Sequence, residues 1–238
     1  MLPYFYHPAI EKNQKAITLD EPTSKHVIQV LRMQQGEQIM LTNGKGLKVL
    51  GTIVAAERKR CGIKIDKIEA VPERPYKFTL AISFTKNNSR NEWLLEKATE
   101  MGIERIIPVI SARTEKEKFN ASRLEGILVS AMLQSQQCFL PELLEPVALN
   151  KFFVHAESIE QKLIAHCIDE EKRTSLLTAL QVQKNTVVLI GPEGDFTKQE
   201  IDLCVEKGFV PVTLGANRLR TETAGLYVCT VFNALNYA

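Results

Sequence analysis

The sequence is short of everything that would tie it to a membrane, a disulfide framework or a metal. No apolar run approaches the roughly 20 residues that span a bilayer. The start, Met1-Leu2-Pro3-Tyr4-Phe5-Tyr6-His7-Pro8, has neither a basic region nor the long apolar stretch of a secretory signal. The five cysteines (61, 138, 167, 204, 229) are odd in number and widely spaced, with no Cys-x-x-Cys pair. That argues against a disulfide framework and a structural zinc site. The four histidines (7, 26, 155, 166) have no metal-ligand spacing, so no metal is expected. Gly-x-Gly-x-x-Gly, Gly-x-x-x-x-Gly-Lys-Ser/Thr and Gly-x-Ser-x-Gly are also missing. Dinucleotide binding by a Rossmann turn, P-loop chemistry and a serine-hydrolase elbow lose their main support. The expected setting is the cytoplasm, with reduced thiols and no membrane partner.

What is present suits one large globular domain or two modest ones: 238 residues, of which 45% are hydrophobic. The net charge of +2 is unevenly spread. Residues 1–74 hold twelve Lys/Arg against eight Asp/Glu, and residues 75–238 hold eighteen against twenty. A basic small domain beside a near-neutral larger one fits an RNA-anchoring module attached to a catalytic module, although a solvated basic surface gives the same numbers.

Hydrophobic period divides the chain near Val71-Pro72-Glu73-Arg74-Pro75, where two prolines stop either kind of element. Before it, residues 37–42, 47–56 and 61–70 read as strands, with a hairpin signal at Asn43-Gly44 and a helix over 23–32. Short strands with tight turns predict a small β-barrel over residues 1–72. After it, strands alternate with helices. Residues 77–84, 105–110, 163–167, 187–190 and 210–214 are strand-like. Capping boxes at Ser89-x-x-Glu92, Ser122-x-x-Glu125 and Thr197-x-x-Glu200 open helices, and a last helix turns Ala224, Tyr227, Val228, Val231 and Leu235 inward. This alternation predicts an α/β domain over 75–238 with a parallel sheet.

Two loops at the ends of predicted strands carry the most chemistry. Ile190-Gly191-Pro192-Glu193-Gly194-Asp195-Phe196-Thr197 leaves one strand, and Leu214-Gly215-Ala216-Asn217-Arg218-Leu219-Arg220-Thr221-Glu222-Thr223-Ala224 leaves the next. Open α/β sheets bind small molecules at the carboxyl ends of such strands. Gly191, Pro192 and Gly194 make a loop able to bring backbone N–H and C=O groups close to a ligand, or simply a tight strand-to-helix turn. Thr221 or Thr223 fits a helix N-cap, and Glu222 fits a helix N-terminus. Arg220 is harder to account for by structure alone.

These loops resemble those of the SPOUT methyltransferases, and most closely the RsmE family, which methylates N3 of one uridine in bacterial 16S ribosomal RNA. Lys86-Asn87-Asn88-Ser89-Arg90-Asn91-Glu92 and Glu96-Lys97-Ala98-Thr99-Glu100-Met101-Gly102-Ile103 are similar to the family's first catalytic-domain helix. Residues 4–32 and the turn at 43–46 are similar to its N-terminal barrel. The family usually has glycine where Asp195 stands, and often Pro-Arg-hydrophobic where Ala216-Asn217-Arg218 stand.

The resemblance implies a SPOUT-type parallel sheet with a C-terminal trefoil knot, preceded by a PUA-like barrel that binds RNA, in a homodimer. It implies S-adenosyl-L-methionine as cofactor, held mainly by backbone groups of Ile190, Gly191, Gly194, Leu214, Gly215 and Leu219. Glu193, which would help hold the first loop, and Thr221 would also belong to the cofactor site, and His166 would stand at a third wall or be an ordinary loop histidine. Methylation at N3 requires loss of the imide proton and stabilisation of charge on O2 and O4. Arg220 supplies donors for those oxygens or for a phosphate, and Glu222 is the nearest carboxylate able to accept the proton. Arg32, Lys86 and Arg90 are candidates for phosphate contacts to 16S rRNA of the small ribosomal subunit, each equally readable as a solvated charge. The competing readings are a methyltransferase for another base or a ribose 2′-oxygen, and an RNA-binding assembly factor without activity.

Overall fold

Alternating residues in the first seventy positions make a five-stranded sheet. The computed structural model describes residues 2–115, 117–168 and 172–237. It divides into two units, residues 1–73 with 132–140 and residues 74–131 with 141–238. In the first unit, β1 (Tyr4–Tyr6), β2 (Ala16–Thr18), β3 (Gln38–Thr42), β4 (Leu47–Ala55) and β5 (Gly62–Ala70) lie in the order β1-β3-β4-β5-β2. All pairings are antiparallel except β1 with β3. The edge strands β1 and β2 share no ladder among the described residues, so hydrogen bonds do not close the expected barrel. Asn43 makes the β3–β4 turn by accepting at Oδ1 from the N–H groups of Lys45 (2.9 Å) and Leu47 (3.1 Å).

The helix expected over 23–32 is two shorter pieces: α1 (Glu21–Lys25), then a π-helical turn at His26–Val30. Asp20 caps α1 by accepting from Thr23 N–H at 2.8 Å. Val27 from the turn packs into the core with Ile39, Leu41, Val49, Ile53 and Ile63. A single cut in the 71–75 linker also misses residues 132–140. That segment joins the first unit, where Leu140 N–H donates to Gly44 O at 2.9 Å and Tyr4 Oη lies 2.9 Å from Cys138 Sγ.

The second unit follows the alternation seen in the sequence. Its elements are β6 (Phe78–Ile82), α2 (Asn88–Glu100), β7 (Arg105–Ile110), α3 (Ala121–Gln134), β8 (Glu142–Leu143), β9 (Val147–Ala148), α4 (Leu149–Phe152), β10 (Gln161–Ala165), β11 (Thr174–Ser175), α5 (Leu176–Ala179), β12 (Thr186–Ile190), α6 (Lys198–Glu206), β13 (Val210–Thr213) and α7 (Thr221–Tyr237). The strand order is β11-β13-β10-β12-β6-β7-β8, with β9 also beside β7. Every pairing in this sheet is parallel. Strands β6 and β12 are buried along their whole length, as expected for central strands covered on both faces.

Helix caps came out partly as expected. Thr197 and Glu200 form the reciprocal capping box of α6. Helix α2, by contrast, is capped by Asn87, whose side chain accepts from Ser89 N–H at 2.9 Å. Asn120 Oδ1 accepts from Arg123 N–H at 3.1 Å at the start of α3. In both cases an Asx residue two or more positions earlier outcompetes the serine.

The inward face of α7 is also rotated from the expected one. Ala224, Gly225, Val228, Cys229 and Phe232 are buried, whereas Leu235 is 42% exposed and Tyr227 and Val231 are only partly covered. At Gly225 a β-carbon would lie 2.9 Å from Ile82 Cδ1 and 3.1 Å from Leu94 Cδ1, so glycine lets α7 pack against β6 and α2 without displacing those side-chain ends. Near the opposite end of the helix, Arg74 lies over the Tyr237 ring at 4.6 Å and donates to Asn233 Oδ1 at 3.2 Å.

Candidate functional site

Parallel register brings three loops to one end of the sheet. Ala165 pairs with Ile190 on one side and Val212 on the other, so β10, β12 and β13 release their chains side by side. Ser83 N–H donates to Ile190 O at 3.0 Å, which adds the end of β6 to the same edge. Between these loops lies a cleft of about 630 Å³. Its walls are His166 and Cys167 after β10, residues 190–193 and Asp195 after β12, and residues 213–221 around the end of β13. Arg90 from α2 and Arg173 complete it. This is the position where open α/β sheets take ligands, outside the carboxyl ends of strands.

The cleft brings together most of the residues singled out from sequence: His166, Ile190, Gly191, Glu193, Leu214, Gly215, Leu219, Arg220 and Thr221 line it. The two loops are directly joined, because Thr221 Oγ donates to Gly191 O at 3.2 Å. Gly215 takes φ of 132°, a conformation that side chains resist, and no atom lies within 4 Å of where its β-carbon would be. Backbone at Gly215 therefore faces open space. At Gly191 the constraint is internal, since a β-carbon would press on the Phe196 ring at 3.0 Å.

Four expected residues do not line the cleft: Gly194, Lys86, Arg32 and Glu222. Gly194 is outside the cleft wall, and its carbonyl accepts from Arg113 Nη1 at 2.6 Å. Lys86 is an exposed residue paired with Glu115 at 3.5 Å, also off the cleft. Arg32 belongs to the first unit, where it is exposed with φ of 56°.

Glu222 and Arg90 change places relative to the sequence reading. Glu222 is 7% exposed and does not line the cleft. Its Oε1 sits 3.5 Å from Arg90 Nε, and its buried Oε2 has no hydrogen-bond partner among the described residues. Arg90, from the first turn of α2, is the group that reaches the cleft. The carboxylate stands behind a guanidinium, which is an arrangement for holding that guanidinium in place.

Asp195 is the residue that sequence reasoning undervalued. It occupies a left-handed conformation with φ of 61°, which Asp tolerates better than most side chains. Its Oδ2 accepts from Cys167 N–H at 2.7 Å and its Oδ1 accepts from Phe196 N–H at 2.8 Å. One carboxylate thus clasps the wall after β10 to the loop after β12. Arg173 was also missed; its Nη1 donates to His166 O at 2.8 Å. Local sequence marks neither role: Asp195 meets Cys167 across 28 residues, and nothing around Arg173 singles it out.

Burial pushes the thiols of Cys61 and Cys229 above the ordinary range and that of Cys204 up to about 12, so these three are packing residues rather than nucleophiles. Among the described residues no cluster of three His, Cys, Asp or Glu is disposed around a metal, and no helix is long and apolar enough to cross a membrane.

Comparison with known proteins agrees with this geometry. Residues 72–233 match the model of an RNA methyltransferase domain, and residues 19–66 match that of an RNA methyltransferase PUA domain. The fold is similar to a crystal structure of a probable rRNA-methyltransferase from Porphyromonas gingivalis, with TM-score 0.92 and 35% identity over 99% of this chain and 98% of that one. It is also similar to a ribosomal RNA small subunit methyltransferase E from Neisseria gonorrhoeae bound to S-adenosyl methionine, with TM-score 0.85, 28% identity, and coverage of 99% and 98%. A ribosomal RNA small subunit methyltransferase E of Aquifex aeolicus is 29% identical over 93% of this chain and 95% of its own length. With a parallel α/β unit that carries a cleft at three strand ends, a PUA-like unit beside it in the chain, and a domain match over most of its length, this chain belongs to the RNA methyltransferase family.

Proposed function

We propose that this protein transfers a methyl group from S-adenosyl-L-methionine to N3 of a uridine in 16S rRNA of the small ribosomal subunit. The observation that carries the reading is the cleft, where a wall at Ile190–Gly191 and Leu214–Gly215 meets the guanidinium groups of Arg90 and Arg220, two of the four arginines that line it. The open backbone at Gly215 fits a cofactor held by main-chain groups, with His166 and Thr221 at its edges. Bound there, the cofactor would supply an electrophilic methyl group.

The chain's own residues meet the needs of the acceptor. Uracil N3 becomes nucleophilic when its proton leaves, and the charge then spreads over O2 and O4. Arg90, beside Glu222, and Arg220, exposed at the end of the loop after β13, offer donors to those oxygens, which lowers the cost of forming the anion. Glu222 stands 3.5 Å from Arg90, so it acts by positioning rather than by touching the base. N3 lies on the Watson–Crick edge, so the uridine enters unpaired or flipped.

We assign the C-terminal segment to a SPOUT-type trefoil knot, in which α7 follows a chain threaded through an earlier loop. We also assign a homodimer in the cytoplasm. The apolar stripe Tyr227, Val231 and Leu235 on α7 supports the dimer, because two of its residues are only partly covered within the chain and the third is exposed. Mass mapping of 16S rRNA from cells lacking this protein tests the reaction. A single uridine should lose 14 mass units, about one methylene, and regain them when the protein is restored. An unchanged map, or a loss at a ribose, would replace this reading by one of its competitors.

A further inference from the structure

The second unit holds another cavity, of about 250 Å³, on the other side of the helix end that bounds the cleft. Phe84, after β6, and Asn88 and Glu92, from the start of α2, form one wall. Lys118, Asn120 and Arg123, at the approach to α3, form the other. Helical geometry sets this arrangement. Asn88, Asn91 and Glu92 stand at i, i+3 and i+4 of α2 and share one face, which lines the cavity. Arg90 is two residues past Asn88, about 200° around the axis, and lines the cleft. The first turn of α2 therefore stands between the two hollows, and a helix with its side chains is about 10 Å across.

The walls of this cavity are fixed within the chain. Phe84 and Leu124 are buried in its lining, and the partly exposed Phe119 ring leans on Phe84 at 5.4 Å and 59°. Asn91 holds the backbone just after Phe84: its Oδ1 accepts from Thr85 N–H at 2.9 Å and its Nδ2 donates to Thr85 O at 2.8 Å. Glu92 takes Arg123 in a two-point pair, at 2.5 Å to Nε and 3.0 Å to Nη2, which ties the start of α3 to α2. The polar groups left over stand at the edge of the cavity. The side chains of Asn88 and Lys118 make no hydrogen bond or ion pair among the described residues, and Asn120 uses its Oδ1 on Arg123 N–H.

We infer that this cavity receives an unpaired nucleobase of the RNA strand whose acceptor uridine enters the cleft, a near neighbour held on the other side of the first turn of α2. An aromatic ring with amide groups beside it takes single-stranded bases by stacking and by hydrogen bonds to their open edges. The Asn88 amide offers a donor and an acceptor, Asn120 Nδ2 adds a donor, and Lys118 suits the adjoining phosphate. A free nucleotide has the same ring and edge chemistry. The RNA strand is favoured by position. The turn that walls this cavity also delivers Arg90 to the cleft, and both hollows fall within residues 72–233, the part matching an RNA methyltransferase domain. The inference rests on the proposed function in taking the acceptor to be a uridine of 16S rRNA.

The test pairs variants of the full-length protein with altered RNA. Phe119→Ala removes the exposed ring and Asn88→Ala an edge amide. Lys118→Gln is matched by Lys151→Gln, an exposed lysine of α4 that lines neither hollow. The probe is a 16S rRNA fragment containing the acceptor uridine, with each neighbouring nucleotide replaced in turn by an abasic one. In the wild type, one abasic position close to the uridine should weaken binding about ten-fold, the scale of one stacked base. Phe119→Ala should lose about as much on the intact fragment and nothing further on that abasic one, because ring and base act as a pair. Asn88→Ala should lower affinity about three-fold and couple to the same position. Lys118→Gln should flatten the slope of log affinity against log salt by about 0.7, one phosphate contact on a single strand, and Lys151→Gln should leave it unchanged. Retained S-adenosylmethionine affinity shows that a variant is folded; if Phe119→Ala fails that check, the coupling of Asn88→Ala decides.

Losses that simply add at every abasic position, or unchanged affinity for both Phe119→Ala and Asn88→Ala, would overturn the assignment. Binding of uridine or adenosine monophosphate that Phe119→Ala abolishes, with no abasic coupling, would overturn it in favour of a free nucleotide. If one position couples but no uridine is methylated, the cavity assignment stands and the proposed reaction fails. If methyl transfer proceeds and no position couples, the reaction stands and the cavity assignment fails.

Discussion

The two loops that frame the cleft are built in opposite ways. The loop after β12 is tied to itself and its surroundings: Asp195 holds two N–H groups, Phe196 is fully buried, and Thr197 starts α6 with a reciprocal cap. The loop after β13 is mostly exposed from Gly215 to Arg218. Within it, Thr213 Oγ donates to Gly215 O at 3.1 Å, and Thr221 anchors its far end to Gly191. One wall is organised before any ligand arrives. The other is held at its ends and exposed between them, a division that suits an enzyme admitting both a small cofactor and a large RNA.

If the exposed loop carries the chemistry, its arginine should matter most. Arg220→Ala is expected to lower single-turnover methyl transfer to small-subunit particles by roughly a hundred- to a thousand-fold, the scale of losing a fixed donor to a developing oxyanion. Cofactor affinity should change little. Glu222→Gln should cost clearly less, because it weakens the hold on Arg90 rather than removing a group from the cleft. Near-wild-type rates for Arg220→Ala would strike it from the catalytic residues, and a loss traced wholly to cofactor binding would make it a pocket residue.

The same contrast predicts where a side chain hurts cofactor binding. Gly215→Val places a branched residue at φ of 132°, so the loop must change conformation or intrude on the ligand. A loss of about 10- to 100-fold in S-adenosylmethionine affinity is expected, with the fold retained. Isothermal titration giving unchanged affinity would mean that this loop adapts without harm.

Asp195→Gly tests the organised wall more gently. Glycine accepts the left-handed backbone better than Asp, so stability should change little. The clasp to Cys167 would be gone, and cofactor affinity is expected to drop by about ten-fold, the scale of charge-assisted hydrogen bonds. Unaltered affinity would show that the wall after β10 holds its place without Asp195.

The smallest effect on activity is expected far from the cleft, at Glu104 beside the start of β7. Burial raises its carboxyl from 4.5 to about 7, partly offset by Phe78 N–H, which donates to Oε2 at 2.8 Å, and by the charge of Arg74. A carboxyl that binds its proton more tightly when folded adds stability that is complete below its unfolded value, near 4.5, and lost as pH rises through about 7. The wild-type melting temperature should therefore fall across that window. Glu104→Gln, which can still accept from Phe78, should flatten the fall while leaving methyl transfer at pH 7.5, about the working range, nearly unaltered. A slope identical to wild type would mean another group carries the dependence.

Most of the α/β alternation was legible because strands β6 and β12 are short, apolar runs closed by turn residues, and because the β12 loop leads into a complete capping box. The two cleft loops were legible for the same reason: glycine, proline and a cluster of polar residues cannot continue a buried strand. Local pattern misled where a neighbouring residue competed, as with Asn87 over Ser89. It failed on α7, whose apolar residues surround much of the helix. There the inward side packs Gly225 close to the side-chain ends of Ile82 and Leu94, partners on other elements that the helix's own pattern does not name.

By itself the sequence determined which segments become strands and helices, where the two loops leave the sheet, and which side chains are available there. Those properties follow from nearest-neighbour chemistry: alternation, backbone freedom and caps. Only the tertiary structure decided that Arg90 enters the cleft with Glu222 behind it, that Asp195 joins two walls, and that residues 132–140 join the first unit. Each depends on partners dozens of residues away, brought together by strand register and helix packing, and no local pattern encodes which of many similar charges will meet.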